Sequence, residues 1–310
     1  MGFVLRRLSA SLPVLLGITV VAFLLIHLMP GDPAKVILFG SNAGPDQISA
    51  LRQQLGLNEP LWRQYFHFLD QLAHGNLGTS YLTQNSVAHE LVSRTPSTLV
   101  LTATALLVAI VVGVPLGLIA GVRPNSLVDR LARGFSFLGV AIPYFFLALV
   151  LVLLFSVRLQ LLPAIDDGTP QALIIPAVSL GWGYSAILTR LIRGRIIEEY
   201  RSDYVRSARA RGCPEWRVLL RHTLRNSSIP AITTIGLQFG NILTGAAITE
   251  VIFGRAGLGS FLATSITNKN IPVVQGAVVL IGIGYVLLNL VVDLIVGAVD
   301  PRTRLTPAIS

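Results

Sequence analysis

Apolar residues occur along this chain in long blocks rather than in alternation with polar residues. Six blocks come close to the roughly 20 residues that a helix needs to cross a hydrocarbon layer. They cover residues 9–29, 98–121, 134–157, 172–192, 230–252 and 276–298. A transmembrane β-barrel would instead show segments of about ten residues in which polar and apolar residues alternate. The pattern therefore predicts an all-α, polytopic membrane protein with six transmembrane helices.

The segment between the first two blocks, residues 30–97, is the longest polar stretch of the chain. Gly56 and Pro60 divide it, and apolar residues recur at helical spacing on either side of that break. These residues are Ile48, Leu51 and Leu55 before the break and Trp62, Tyr65, Phe66, Leu69 and Leu72 after it. The spacing predicts two short amphipathic helices outside the membrane. They form either a cap over the membrane face, which the spacing favours, or a docking surface for an external partner.

Composition agrees with a membrane-spanning chain, since 53% of the residues are hydrophobic and only 13% are charged. The charged residues also orient the chain, because cytoplasmic loops of membrane proteins carry an excess of lysine and arginine. With both termini in the cytoplasm, 17 of the 24 lysines and arginines fall on the cytoplasmic side. This bias predicts a multi-pass protein with both termini cytoplasmic. It also accounts for the net charge of +9 without a nucleic-acid partner.

Signatures of enzymes and of metal or nucleotide sites are missing from the sequence. A P-loop needs a lysine directly after a glycine, but the only lysines are Lys35 and Lys269, and neither follows a glycine. The one cysteine, Cys213, excludes an internal disulfide and gives no metal cluster. We therefore predict no catalytic residue, no metal site and no cofactor bound by this chain.

Ten arginines lie between residues 190 and 225. Ser202 or Asp203 can cap a helix there by accepting backbone N–H bonds, and Gly212 followed by Pro214 ends that helix and opens a second one. In the second helix an apolar stripe (Trp216, Leu219, Leu220, Thr223 and Leu224) runs beside a cationic stripe (Arg217, Arg221 and Arg225). The pattern predicts a helix–Gly–helix hairpin under the membrane. Such a hairpin either binds anionic lipids or fits a partner's cleft and transmits motion to spans four and five.

Polar side chains interrupt the last two apolar blocks, where they are costly and usually face a cavity or a partner. They are Gln238, Asn241, Thr244 and Glu250 in the fifth block and Asn289 and Asp293 in the sixth. Two interpretations are open: hydrogen bonds between helices, or the lining of a translocation path. The candidate path residues are Gln238, Asn241, Thr244 and Asn289, with the first three forming a polar stripe.

The stretch "DYVRSARARGCPEWRVLLRHTLRNSSIP", residues 203–230, resembles the cytoplasmic EAA loop of bacterial ABC importer permeases. It is most similar to the dipeptide, oligopeptide, glutathione and nickel branch, whose loops read much like D-Y-x-R-x-A-R-A-x-G followed by R-H-x-L-x-N and a proline. The resemblance covers nearly the whole chain, including the opening "RRLSASLPVLLGITVVAFLLIHLMPGDPA" and the ending "VDPRTRL". In "VIFGRAGLGSFL", Arg255 and Ala256 stand where the family often has Trp-Pro.

The resemblance implies a type I ABC importer permease fold with a cytoplasmic EAA coupling hairpin that fits a groove of a separate ATP-binding subunit. The implied coupling residues are Asp203, Tyr204, Arg206, Ala208, Arg209, Ala210, Gly212, Arg217, Arg221 and His222. Those of the external gate or loop are Glu250, Arg255, Gly257 and Gly259. ATP and magnesium would bind only to two such subunits, whose closure would push the hairpins and rotate the spans. The other implied partners are a second, homologous permease chain, an external substrate-binding protein and the lipid of the bacterial cytoplasmic (inner) membrane.

The expected organisation has four parts. They are an N-terminal region with the first transmembrane helix (1–29), an external helical loop (30–97), a five-helix permease core (98–298) with its coupling loop (199–229), and a cytoplasmic tail (299–310). The expected cargo is di- or oligopeptides, with nickel, a metal chelate or glutathione as alternatives. The residues themselves also leave open a secondary transporter or channel, although no convincing repeat of halves is visible, and a lipid-binding membrane scaffold.

Overall fold

The computed structural model describes residues 2–28, 34–35, 44–54 and 56–299. Within the helices, it does not describe the side chains of residues 2–8, 26–28, 51, 54, 220–222, 224–230, 296 and 298–299. The regular elements of the described residues are helices, and one isolated antiparallel bridge joins Thr79 and Ser86. The predicted all-α class is confirmed. The predicted tail 299–310 lies outside the described residues except for Val299.

Twelve helices are named here in chain order. They are α1 (Gly2–Leu28), α2 (Pro45–Gln54), α3 (Leu61–Ala73), α4 (Val87–Val122), α5 (Leu127–Ala141), α6 (Tyr144–Leu151), α7 (Ile174–Tyr200), α8 (Asp203–Ala210), α9 (Glu215–Arg217), α10 (Leu224–Ile252), α11 (Leu258–Thr267) and α12 (Ile271–Val299). Two π-helical segments follow α6 and α9, at Val152–Arg158 and Val218–Thr223. A 3₁₀ turn at Pro170–Leu173 leads into α7.

The chain divides into two compact units. The first comprises Met1–Pro96 and Ala256–Leu287, and the second comprises Ser97–Arg255 and Leu288–Ser310. Helices α4 and α12 each begin in the first unit and end in the second.

In the first unit, α3 packs against α1. The Tyr65 hydroxyl lies 2.9 Å from Thr19 Oγ1, and the Phe23 ring meets the Tyr65 ring edge-on at 5.4 Å between centroids. Helices α2 and α3 confirm the two predicted amphipathic helices outside the long apolar blocks. One detail of the prediction is wrong, because Trp62 and Phe66 do not share the packed face and are 58% and 61% exposed.

In the second unit, glycines allow α4 and α7 to approach closely. Gly113, Gly117 and Gly121 recur at every fourth position of α4 and therefore lie along one face of that helix. A Cβ atom at Gly113 would lie 2.7 Å from the Ser185 carbonyl oxygen, and one at Gly121 would lie 2.7 Å from the Ile196 Cβ. Small residues at this spacing are typical of closely packed membrane helices.

By length and composition, four helices of the described chain could cross a membrane. They are Val87–Val122, Pro170–Tyr200, Ala231–Ile252 and Ile271–Ile295. A bent pair, α5 with α6 and its extension, raises the number to five if it forms one span. The described apolar part of α1, Ser9–Leu25, is shorter. The count of six transmembrane helices therefore stays a prediction.

The predicted third span, 134–157, is not one continuous helix. Helix α5 ends at Ala141 and α6 begins at Tyr144, with an angle of 101° between the two halves. Ile142 has an extended backbone (φ −89°, ψ 117°) because a residue before proline disfavours the helical region. Pro143 then has no N–H to continue the helical ladder. The apolar block is continuous through this point, so its hydropathy gave no sign of the helix break, although Pro143 itself indicates one.

Candidate functional site

The basic hairpin is defined here as residues 203–217, which comprise α8, the turn after it and α9. One face of α8 is anchored to the chain itself. Val205 and Ala208, 0% and 1% exposed, pack with Val218 at the start of the π-helical segment, and Cys213 lies against this cluster. The hairpin therefore has a small apolar core of its own.

Gly212 ends the first arm as its sequence position predicts. Its φ of +79° lies in the left-handed region, where glycine carries no Cβ penalty. Of the two predicted caps, Ser202 stands at the N-cap position and Asp203 is the first residue of α8, but Ser202 Oγ donates to the Glu199 carbonyl at 2.6 Å and makes no side-chain bond to the first turn. Pro214 stands just before α9, where its carbonyl accepts bonds from Arg217 and Val218.

The second arm differs in helix type from the one that the predicted stripes require. They assume α-helical spacing, but residues 218–223 are π-helical, and Thr223 Oγ1 donates to the Val218 carbonyl five residues earlier at 3.2 Å. Val218 and Thr223 are both fully buried, whereas Trp216 is 60% exposed. Among the described side chains of the predicted apolar stripe, Thr223 is thus buried as predicted and Trp216 is not. The side chains of Leu220, Arg221, His222, Leu224 and Arg225 lie outside the described residues.

An ion pair holds the two arms of the hairpin together. Arg209 binds Glu215 with two contacts, Nε to Oε1 at 2.7 Å and Nη2 to Oε2 at 3.2 Å, and its guanidinium lies 5.0 Å from the centre of the Tyr200 ring. The hydrogen bond from Arg209 lowers the pKa of Glu215, and the bond to Glu215 raises the pKa of Arg209. Tyr204 hydrogen-bonds Glu199 at the end of α7.

The outer face of the hairpin is polar and open. Asp203 and Arg206 form a loose pair at 3.7 Å, and their side chains are 99% and 73% exposed. Ala210 and Gly212 are exposed beside them and leave the surface without bulky side chains. Arg217 is also exposed, with its guanidinium 5.3 Å from the centre of the Trp216 ring. This face offers cationic groups and room for a close neighbour.

A buried ion pair in the second unit escaped the sequence analysis. Asp129 has a side chain with no exposed surface, and Arg193 of α7 binds both of its carboxylate oxygens. The Asn125 backbone N–H donates to the same carboxylate at 2.9 Å, and Arg133 lies 3.7 Å away. Asp129 thereby joins α5 to α7. The sequence feature that could have indicated the start of α5 near Asp129 is Ser126, which caps that helix by accepting the Asp129 N–H at 3.2 Å.

The candidate path residues of α10 do not share a face. Gln238 is 3% exposed, and its amide has no hydrogen-bond partner in the described part of the chain. Asn241 and Thr244 lie instead on the exposed side, which they share with Leu237, Ile248 and Val251. The predicted polar stripe is therefore divided between a buried and an open face. On α12, Asn289 is half-buried.

The candidate residues of the external gate belong to both units. In the second unit, Glu250 is fully buried, and its Oε1 accepts a 2.5 Å bond from Thr98 Oγ1 of α4. Arg255 Nη1 lies 3.3 Å from Asp166 Oδ2, and its backbone N–H donates to the Glu250 carbonyl at 2.9 Å. In the first unit, Gly257 precedes α11 and donates its N–H to Ser260 Oγ at 3.1 Å, while Gly259 is buried.

No three histidine, cysteine, aspartate or glutamate side chains of the described residues lie together in a way that could hold a metal ion. The polar groups described above are instead arranged as ties between helices and, on the hairpin, as an open basic surface. Together with the long apolar helices, this arrangement defines a multi-helix membrane protein that carries a basic helical hairpin.

Comparison with known protein families shows to which family of membrane proteins the chain belongs. Residues 113–305 match the family described as "Binding-protein-dependent transport system inner membrane component". Residues 1–102 match the family described as the N-terminal part of such a membrane component. The chain belongs to this family of binding-protein-dependent transport permeases, and it is a transport component rather than an enzyme.

Relatives agree with this assignment, and a solved structure has a similar fold. The chain is 38% identical over 304 residues to the glutathione transport system permease protein GsiC of Escherichia coli K12, covering 98% of this chain and 99% of the relative. The GsiC protein of Salmonella typhimurium LT2 gives the same identity and coverage. The fold is similar to a chain of the MetNI methionine ABC transporter in an inward-facing conformation, with a TM-score of 0.57, 20% identity and coverage of 68% of this chain and 96% of that one.

Proposed function

We propose that this chain is one of two permease subunits of an ATP-driven importer and forms half of its translocation path. The observation that carries the proposal is the basic hairpin, which is anchored on one face by Val205 and Ala208 and open on the other at Arg206. The basic hairpin can act as a lever, because its buried base cannot shift independently of the chain while its outer face is free to bind a partner. In this proposal the hairpin and both termini lie in the cytoplasm of a bacterium.

The hairpin would occupy a groove of a separate ATP-binding subunit. Exposed Asp203, Tyr204 and Arg206 supply polar contacts, and the exposed Ala210 and Gly212 permit close approach. The Arg209–Glu215 pair and the Tyr204–Glu199 bond tie the hairpin to itself and to the end of α7. A push on the hairpin would therefore move α7. ATP and magnesium would bind to two partner subunits and not to this chain.

The open face of α10 would line the path or meet the second, homologous permease. Asn241 and Thr244 supply its polar groups, between the apolar side chains of Leu237 and Ile248. Gln238 would instead act within the chain, since it is buried in the second unit. The Glu250–Thr98 and Arg255–Asp166 contacts would stabilise the external end of the path.

Short peptides delivered by an external binding protein are the proposed cargo. The named relatives are glutathione permeases, and glutathione is itself a tripeptide, so peptide and glutathione import share one chemistry. Nickel or a metal chelate is the alternative. Uptake of labelled glutathione, a dipeptide and nickel by cells with and without this chain separates these cargoes. Loss of nickel uptake alone would contradict the peptide assignment.

Purification of the tagged chain from its native membrane tests the assembly. We expect two ATP-binding subunits and a second permease to accompany it, and a binding protein to be captured by crosslinking. A chain that emerges alone or as a homo-oligomer, with no P-loop partner after crosslinking, would contradict the importer. That result would favour a secondary transporter or channel.

A further inference from the structure

A groove of about 510 Å³ lies between α5 and α7 in the second unit. We call it the arginine groove. Its lining combines three arginines with small and apolar side chains, namely Arg133, Arg190, Arg193, Ser136, Phe137 and Val140. None of the functions proposed above uses it.

The arginines leave the groove with unbalanced positive charge. Arg193 is paired with the buried carboxylate of Asp129, and Arg133 lies 3.7 Å from the same group. One carboxylate thus serves two guanidinium groups. Arg190 is exposed, and no described carboxylate pairs with it. The surplus of about two positive charges points to an anionic ligand.

The apolar side chains continue the groove away from these charges. Phe137 and Val140 follow Arg133 by one and two helical turns, about 6–11 Å along the axis of α5. Phe137 is 74% exposed and Val140 is 52% exposed. A ligand that fills the groove would therefore need an anionic head and an apolar body.

The arginines also stand at the edges of the apolar blocks. The third block begins at residue 134, directly after Arg133, and the fourth ends at residue 192, between Arg190 and Arg193. These positions predict that the arginines lie where the hydrocarbon region ends, which is the depth of lipid phosphates. The apolar positions of the groove then face the depth of the acyl chains.

We propose that the arginine groove binds an anionic phospholipid, with its phosphate at Arg133 and Arg190 and its first acyl segment along Phe137 and Val140. The site requires only that the chain spans a membrane, so it does not depend on ATP-driven import. A lipid held there would bridge α5 and α7, the two helices that Asp129 and Arg193 also join.

Native mass spectrometry of the purified complex tests the proposal. The complex is stripped of lipid and then given phosphatidylglycerol or phosphatidylcholine with the same acyl chains. We expect phosphatidylglycerol to be retained preferentially. Arg133→Gln with Arg190→Gln should reduce that retention about 25-fold, which is a fivefold loss for each arginine. Arg133→Lys with Arg190→Lys should restore most of it.

The matched control is Arg123→Gln with Arg195→Gln, which removes the same charge outside the groove and should leave retention unchanged. Equal retention of the two lipids, or equal losses in both pairs of variants, would overturn the proposal. Displacement of the lipid by inorganic phosphate would identify a free anion as the ligand and overturn it too. A photocrosslinker placed at Phe137 should label lipid, and labelling of a protein subunit would contradict the assignment.

Discussion

Two arginine–carboxylate pairs of the second unit have the same chemistry but opposite surroundings. Asp129, bound by Arg193, has a side chain with no exposed surface. Glu215, bound by Arg209, has a side chain that is 64% exposed. The first pair fastens α5 to α7, and the second only braces the basic hairpin. Burial, rather than the ion pair itself, decides what each contributes.

The physical reason is the cost of taking charge out of water. A buried carboxylate that loses its partner destabilises a protein strongly, because no solvent replaces the lost contact. An exposed pair contributes about 0–1 kcal/mol, since water and salt compete for it. We therefore expect changes at Asp129 and Arg193 to act on stability. Changes on the open face of the hairpin should act on transport.

Loss of the buried contact should give the largest effect. Arg193→Ala leaves Asp129 without its main partner, and we expect a free energy of unfolding lower by about 3–5 kcal/mol. Thermal unfolding in detergent, followed by tryptophan fluorescence, measures the loss. The control is Arg195→Ala, whose partner Glu198 is 70% exposed. Equal effects of the two substitutions would show that burial does not separate the pairs.

An intermediate effect is expected at the half-buried pair of Asp166 and Arg255. Their side chains are 21% and 10% exposed, and 3.3 Å separates the nearest atoms. Asp166→Asn keeps the shape but removes the charge, and should cost about 1–3 kcal/mol in the same assay. Asp167→Asn, at the exposed neighbour, should cost less. A larger loss from Asp167→Asn would contradict the ranking by burial.

The exposed Arg209–Glu215 pair should show a small dependence on pH. The hydrogen bond from Arg209 holds the pKa of Glu215 below its usual 4.5. The pair's contribution is therefore complete above that value and is lost as the pH falls through the lowered pKa. We expect a change of about 1 kcal/mol or less. The measurement is the unfolding temperature between pH 3 and 7, and Glu215→Gln should remove the part of its pH dependence that comes from this pair. The same pH dependence in the variant and in the unchanged protein would contradict this expectation.

Much of the fold follows from local sequence pattern. Helices α2 and α3 and the Gly212 turn depend on residues close together in the chain, and the spacing of apolar residues, glycine and proline predicted them. The break at Pro143 had a local signal that average hydropathy obscured. Gly113, Gly117 and Gly121 likewise marked the face of α4 that packs on α7.

The candidate site was harder to predict, because its details depend on contacts between distant residues. Asp129 and Arg193 are 64 positions apart, and nothing in the sequence pairs them. The π-helical turn at Val218–Thr223 replaces the α-helical spacing that the predicted stripes assumed, and Val218 is buried while Trp216 is exposed. Gln238 and Asn241 have similar chemistry, yet packing in the second unit buries only the first.

The most direct test of the coupling role is reversal of charge at the open face of the hairpin. The complex containing Arg206→Glu is reconstituted with its ATP-binding subunits and binding protein, and ATP-driven uptake is measured beside Arg195→Glu. Because Arg206 is 73% exposed, we expect unfolding to change by about 0.5 kcal/mol or less. Membrane insertion should be normal, uptake should be abolished, and Arg195→Glu should retain uptake. Unchanged uptake with Arg206→Glu would contradict the assignment of this hairpin as the ATPase-coupling element.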